Sequence, residues 1–339
     1  MPATMKLSVT IPAQNEARTI GDVVRDIPRE IDGIDEVEVI VVDDASDDGT
    51  AELAEDAGAK VVTMTGRPGL GPVWRLGMDR AIRGGADLIV NLDGDGQFRS
   101  SDVAEIVQPL LRGECDFVHC TRFAHGGPVG RMPAIKRAGN WLVTKLANAI
   151  CGTKFTDVSC GFRAYNREAA YRLSQFGRWT YTEECVVYLV GRGLRIKEMP
   201  FPVLGEREHG KSRVASNVIY FASHLLHILM RAVRDGKPMK FFGVVAALAL
   251  LPGLLTLVLV GLWAIAMQTT TPFTGVLTIG IIATLIGVLL TVLALLADMV
   301  SRHRLIHEEL LYLARCRYYA SPQADDVPES AALASVFEA

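Results

Sequence analysis

A chain of 339 residues is long enough for one complete domain and further segments. Its formal net charge of −3 argues against a general nucleic-acid binder, which would carry a basic surface. Its six cysteines (Cys115, Cys120, Cys151, Cys160, Cys185 and Cys316) have no CxxC or Cys/His spacing. That excludes a zinc ribbon or a disulfide framework and predicts reduced, mostly buried thiols in a protein facing the cytoplasm.

Lys6 to Ile11 (KLSVTI) is a β-rich run ending in Pro12-Ala13-Gln14-Asn15-Glu16, which leads into a helix starting near Ala17. No leader peptide is expected, because polar sequence follows this strand directly. Val37 to Val42 repeats the pattern and ends in Asp43-Asp44-Ala45-Ser46-Asp47-Asp48-Gly49-Thr50, with Ser46 or Asp47 as candidate caps of the next helix. Lys60 to Met64 forms a third strand, and Gly69-Leu70-Gly71 opens a helix carrying Trp74, Met78 and Ile82. A fourth strand begins at Leu88. A helix from Ser101 to Arg112 and a strand from Asp116 to Cys120 follow. Such alternation predicts an α/β fold with a mostly parallel, helix-covered sheet, in which ligands gather at the carboxyl ends of the strands.

The fourth strand stops at Asp93-Gly94-Asp95-Gly96-Gln97. If the segment stays extended, residues two apart face the same way, and Asp93, Asp95 and Gln97 converge. Two carboxylates and an amide oxygen form a hard donor set suited to Mg²⁺ or Mn²⁺. The plainer alternative is a strand end with solvated turn carboxylates, since Asp and Gly are ordinary turn residues.

Beyond Thr121 the alternation loosens. A helix follows Pro133, Asp157 to Tyr165 (DVSCGFRAY) reads as a strand with a turn, and Leu194 to Val203 reads as a last strand. Ala215 to Arg234 has apolar residues near helical spacing and basic residues at its end, the pattern of a helix lying in a membrane interface. Phe241 to Met267 and Gly275 to Ala297 are each long enough to cross a hydrocarbon core of ~30 Å. Arg234, Lys237 and Lys240 precede them and Arg302, His303 and Arg304 follow, so the positive-inside rule puts both termini in the cytoplasm. A surface helix from about Ser301 to Tyr319 and a polar, acidic tail complete the chain. The expected divisions are 1–213, 214–240, 241–300 and 301–339.

Taken together these motifs resemble family 2 glycosyltransferases of the GT-A fold, and more narrowly the dolichyl-phosphate mannose synthase and polyprenyl-phosphate glycosyltransferase group. The IPxxNE pattern is Ile11 to Glu16, VDDxSxDGT is Val42 to Thr50, and DxDxQ is Asp93, Asp95 and Gln97. Thr121-Arg122-Phe123 with Gly126-Gly127, Asp157 with Gly161 to Tyr165, and the loop carrying Arg207, Gly210, Ser212 and Arg213 match three further motifs in order. Gln14, Pro72 and Trp74 depart from the usual pattern near the expected donor pocket, which bears on the sugar and base.

The resemblance implies a nucleotide-sugar donor over Pro12, Ala13, Asn15, Glu16, Asp43, Asp44, Asp93 and Gly94, with Asp93, Asp95 and Gln97 holding Mg²⁺ or Mn²⁺ against the diphosphate. It implies a polyprenyl or dolichyl phosphate acceptor met by Arg122, Arg137 and Arg207 with Lys211, Ser212 and Arg213. Arg131 is an alternative to Arg137, and Arg163 is expected to brace the fold. Asp95, Arg122, Arg137 and Arg207 are the expected catalytic residues. The lipid bilayer is an expected partner, nucleic acid is not, and the oligomeric state, a homo-oligomer included, stays open. Two competing readings remain: a processive polysaccharide synthase, because Gln175 to Trp179 spells QxxRW, and a non-catalytic membrane scaffold.

Overall fold

The structure, a computed structural model, describes residues 4–64, 69–123, 134–173, 182–203 and 238–319. They divide between two compact units, one within Met1–Phe221 and Leu311–Ala339, the other within Ala222–Leu310.

The first unit is built on a seven-stranded sheet. Its strands are β1 (Lys6–Ala13), β2 (Glu36–Asp43), β3 (Lys60–Thr63), β4 (Leu88–Asn91), β5 (Phe117–Thr121), β6 (Arg163–Asn166) and β7 (Ile196–Pro200), in the order β3-β2-β1-β4-β6-β5-β7. Every pairing is parallel except those of β6, which runs antiparallel to both β4 and β5. The α/β expectation therefore holds, with one reversed strand that the sequence did not announce. Reversal puts the start of β6 beside the end of β4, since Asn91 pairs with Arg163. The loop leading into β6 thus joins the carboxyl ends of β1, β2, β4 and β5 along one edge.

Leu7, Val9 and Ile11 of β1 are fully buried in the main core, packed with Ile20, Val24 and Ile106. Between them Ser8 and Thr10 are also buried, but they are small and polar. Thr10 leaves room for α3 (Leu70–Arg83): a Cβ on Gly77 would lie 3.3 Å from Thr10 Cβ and from Val42 Cγ2. Helix and sheet therefore approach closely at that point. Trp74 on this helix is buried, and its indole N–H donates to Asn91 Oδ1 at 2.7 Å. It is a core residue facing the sheet, bonded to the last residue of β4, two positions before Asp93.

Several boundaries move. α1 (Ile20–Arg25) starts three residues later than expected, because the Glu16 carbonyl first accepts from the N–H groups of both Thr19 and Ile20. Neither Ser46 nor Asp47 caps α2 (Thr50–Asp56): Gly49 takes the cap position at φ 84°, and Asp48 Oδ1 accepts from Thr50 N. The helix expected over 101–112 is broken into a 3₁₀ turn, Ser100–Asp102, and two short helices, α4 (Val103–Ile106) and α5 (Gln108–Leu111), with Pro109 near the second start. The helix after Pro133 is α6 (Ala134–Cys151), followed by α7 (Arg167–Arg172) and α8 (Thr182–Gly191). All six cysteines are free thiols.

The second unit holds a helix from Pro238 to Met267 and the apolar part of another from Thr274 to Tyr319. Both are long and apolar enough to cross a membrane. Their large side chains face outward, Leu248, Ile265 and Leu289 among them. What they bury against each other is small: Ala246, Gly253 and Val260 on one, Gly280, Gly287 and Ala294 on the other, each set spaced by seven. A Cβ on Gly287 would lie 2.6 Å from Leu250 Cα, and one on Gly253 would lie 2.6 Å from Thr284 Oγ1. Contact pairs whose numbers fall on one helix as they rise on the other make this an antiparallel hairpin with close backbones, as association without a hydrophobic driving force requires.

The second helix does not end near Ala297 and restart at Ser301; it is continuous to Tyr319. Helix formers such as Arg302, Leu305, Glu308 and Leu310 follow the apolar run without Gly or Pro, so nothing interrupts it. Its last residues belong to the sheet unit. Tyr312 donates to Glu168 Oε2 at 2.5 Å, Arg315 Nη1 to the Leu173 carbonyl at 2.5 Å, and Tyr319 to Asp79 Oδ1 at 2.6 Å. The interfacial helix expected at 214–240 lies outside the described residues up to 237, and Pro238 to Lys240 belong to the first long helix.

Candidate active site

The carboxyl edge of the sheet carries every described residue of the expected site except Arg137. Pro12 and Ala13 are the last residues of β1, and Asp43 is the last of β2, paired with Ala13. The two loops that follow are tied together. Asn15 N donates to Ser46 Oγ at 2.9 Å, Asp47 N to Asn15 Oδ1 at 3.1 Å, Glu16 N to Thr50 Oγ1 at 2.9 Å, and Ala17 N to Asp48 Oδ2 at 3.1 Å. These bonds hold Asn15 and Ala45 in the left-handed region, both at φ 56°. For Ala45 that conformation is unfavourable by about 1–2 kcal/mol. Asn15, expected to face the donor, spends its carboxamide oxygen on the neighbouring loop.

Asp43 and Asp44 are buried. Asp43 Oδ2 accepts from Ser46 N, and Asp44 Oδ2 accepts from Gly69 N at the head of α3. Asp43 Oδ1 is buried with no hydrogen-bond partner among the described residues, a costly arrangement unless a ligand donor meets it.

β4 ends at Asn91, so alternation along a strand does not align Asp93, Asp95 and Gln97 as the sequence suggested. The backbone turns instead: Gly96 has φ 69°, and Asp95 Oδ1 accepts from Gln97 N at 3.1 Å. All three side chains are half-buried on this turn. Among the described residues no group of three or more His, Cys, Asp and Glu gathers as a complete metal cage. Two carboxylates and an amide nevertheless match a Mg²⁺ or Mn²⁺ that takes its other ligands from a diphosphate.

Arg122 follows the last residue of β5. Its Nε donates to Asp157 Oδ2 at 2.6 Å and its Nη2 to Asp157 Oδ1 at 3.1 Å, a bidentate pair. Asp157 is completely buried and also accepts from Asn140 Nδ2 and Ser159 N. Burial opposes both charges, but their pairing prevails: the Arg122 guanidinium is raised and the Asp157 carboxyl is held below the usual carboxylate range. Glu198 of β7 accepts from Thr156 N and Asp157 N, pinning the loop from the other side. The sequence marked Asp157 as a motif residue but missed its task. The available signal was Asp-x-Ser, an Asx-turn spacing that presents the carboxylate inward.

Arg137 lies exposed in the first turn of α6, three residues before Asn140 and so one turn along the same side. Arg163 braces the fold as expected: it is fully buried and donates to the carbonyls of Val158, Cys160 and Thr182. Arg131, Gln175 to Trp179, Arg207, Lys211, Ser212 and Arg213 lie outside the described residues.

Comparison with known proteins agrees with this geometry. Residues 8–174 match the family model described as glycosyl transferase family 2. Glycosyltransferase AglJ of Haloferax volcanii is 32% identical over 313 residues, covering 90% of this chain and 97% of that protein. The dolichyl-phosphate hexose transferase of the same organism is 31% identical over 199 residues, covering 58% and 82%. Glucosyl-3-phosphoglycerate synthase of Mycobacterium tuberculosis, crystallised with Mn²⁺, UDP-glucose and phosphoglyceric acid, has the same fold, with a TM-score of 0.51 at 24% identity over 67% of this chain and 79% of that one. The sheet with its one reversed strand is thus GT-A-like, and the chain is a glycosyltransferase that belongs to glycosyl transferase family 2.

Proposed function

We propose that this enzyme moves one sugar from a nucleotide-sugar, GDP-mannose or a UDP-hexose, to a polyprenyl or dolichyl phosphate. One observation carries the reading: a single sheet edge holds an acidic turn at the end of β4 and, at the end of β5, an arginine locked by a buried carboxylate. A diphosphate leaving group and a phosphate nucleophile need such opposite charges side by side. The relative named as a dolichyl-phosphate hexose transferase supports this acceptor class.

In this reading Asp43 and Asp44 accept from ribose hydroxyls and base N–H groups, and the buried Asp43 Oδ1 gains its missing donor. Asp93, Asp95 and Gln97 would hold a Mg²⁺ or Mn²⁺, which supplies charge neutralisation to the departing diphosphate. Arg122, kept rigid by Asp157, orients an acceptor phosphate together with Arg137 and Arg207. A phosphate monoester has its second pKa at about 6, so the nucleophilic oxyanion exists at neutral pH without a general base. A single displacement inverts the anomeric centre. The two apolar helices would span the bilayer with both termini cytoplasmic, keeping this edge on the side of the nucleotide-sugar pool.

The test uses purified full chain in detergent with Mn²⁺ and a short polyprenyl phosphate, offered GDP-mannose, UDP-glucose and UDP-N-acetylglucosamine separately. The expected product is the lipid phosphate plus one hexose mass, with turnover lowered by roughly two to three orders of magnitude in Asp95→Ala. A polymeric product would support the synthase reading of Gln175 to Trp179 instead, and full activity in Asp95→Ala would remove the metal assignment.

A further inference from the structure

The turn from Asp93 to Gln97 lies beyond the last ladder bonds of β4, so something other than the sheet must hold it. Contacts from two sides help to do so. From the side of the loop after β1, the Thr19 hydroxyl donates to the Gly94 carbonyl at 2.7 Å, sharing its proton with the Glu16 carbonyl at the longer distance of 3.3 Å. From the β6 side, Asp93 lies over the bare Cα of Gly161: a Cβ built there would stand 2.5 Å from Asp93 Oδ2 and 2.9 Å from Oδ1.

Gly161 is not there for its backbone freedom, because it is absent from the glycines in the left-handed region. Its role is space. The residues beside it are anchored: Cys160 and Phe162 are buried, the Cys160 carbonyl accepts from Arg163 Nε at 2.7 Å, and the Phe162 carbonyl accepts from Cys120 N at 3.0 Å. A methyl group at 161 therefore cannot be relieved by retreat of its own backbone, and the Asp93 carboxylate has to move.

We infer that Gly161 and Thr19 are positioning residues for the acidic turn, Gly161 setting where the Asp93 carboxylate rests and Thr19 fixing the Gly94 peptide between the two aspartates. The inference rests on the proposed reading of this turn as the site for a divalent cation and diphosphate. Partners that orient metal ligands typically change metal affinity by about 10- to 100-fold when altered. Gly161→Ala falls within that range, because it displaces a ligand. Thr19→Val, which removes the hydroxyl shared by the Gly94 and Glu16 carbonyls and keeps the shape, falls at its lower end.

The experiment titrates Mn²⁺ into the full chain in detergent, with UDP or GDP present, and follows free Mn²⁺ by electron paramagnetic resonance. Circular dichroism and melting temperature monitor folding, and nucleotide binding without metal is measured in parallel. The expected result is Mn²⁺ affinity weakened about 10- to 100-fold in Gly161→Ala and about tenfold in Thr19→Val, with metal-free nucleotide binding unchanged. Wild-type Mn²⁺ affinity in both variants, while Asp95→Asn abolishes binding, would overturn the positioning role and leave the metal site standing. Mn²⁺ binding that survives Asp95→Asn would overturn the reading of the turn itself. Should Gly161→Ala fail to fold, Thr19→Val decides: weakened metal binding with intact nucleotide binding supports the inference, and unchanged metal binding overturns it.

Discussion

The sheet unit and the apolar hairpin use the same residue types in opposite places. In the sheet unit Leu7, Val9, Ile11 and Val90 fill the interior and carboxylates line one edge. In the hairpin Leu248, Leu289 and Ile265 face outward, while Gly253, Gly280, Gly287 and Ala294 lie at the contact. The difference follows from the solvent each region is suited to. Water drives large apolar groups inward, whereas hydrocarbon makes a leucine as comfortable outside as inside and leaves close packing to hold helices together. Glycine marks both regions for one underlying reason. Gly287 admits a helix backbone, Gly77 admits a helix onto the sheet, and Gly161 admits a carboxylate.

The strongest way to break the comparison is at the buried ion pair, which has no counterpart among the described residues of the hairpin. Asp157→Asn leaves the Arg122 guanidinium without its partner, and the sheet unit should lose about 3–5 kcal/mol in denaturant unfolding. The same unit should weaken on acidification. The lowered pKa of Asp157 contributes stability above the unfolded-state value of about 3.9, and that stability is lost as pH falls through the lower folded value. His119, whose ring burial pushes down to about 3, adds a loss that starts below pH 6.5, where only the unfolded chain takes up the proton. Stability flat between pH 7 and 3 would contradict both assignments.

The inverted burial predicts opposite responses to one substitution. Leu7→Ala should cost about 2–5 kcal/mol, because it opens a cavity beneath the sheet, while Leu289→Ala should leave the hairpin unchanged within about 0.5 kcal/mol. Gly287→Leu reverses the pattern: it overpacks the seam at a cost of about 1–3 kcal/mol and should speed hydrogen exchange around Thr284. Equal sensitivity of Leu7 and Leu289 would mean that the hairpin has a conventional core. A smaller effect sharpens the boundary at the end of the second helix. Tyr312→Phe removes the hydrogen bond to Glu168 and should raise exchange in residues 311–319 by the equivalent of about 0.5–1.5 kcal/mol.

Strand and helix alternation through Thr121, the two membrane-length apolar segments, the bracing role of Arg163 and the family-wide motifs were all legible in the sequence. Each depends on local composition or on periodicity along the chain, which folding does not rearrange. Legibility stopped where a residue's partner lies far away in the chain. Asp93 meets Gly161, Gly94 meets Thr19, Arg122 meets Asp157, and Tyr319 meets Asp79.

Even within motifs, position was misleading without the third dimension. The motif puts Trp74 near the expected donor pocket, but only the structure shows it buried and bonded to Asn91. Strand alternation predicts that Asp93, Asp95 and Gln97 align, yet they sit on a turn that begins after the strand has ended. The seven-residue seam in the hairpin was present in the sequence as Ala246-Gly253-Val260 and Gly280-Gly287-Ala294, but hydropathy registers only that these segments are apolar, not which face is used.

By itself, then, the sequence determined the class of the fold, the apolar spans and the chemical types gathered at the sheet edge. The tertiary structure decided the reversal of β6, and with it which loop closes over the acidic turn. Its physical reason is that strand direction is settled by which neighbours a strand pairs with, here β4 and β5 on either side, and that pairing is a property of the assembled sheet.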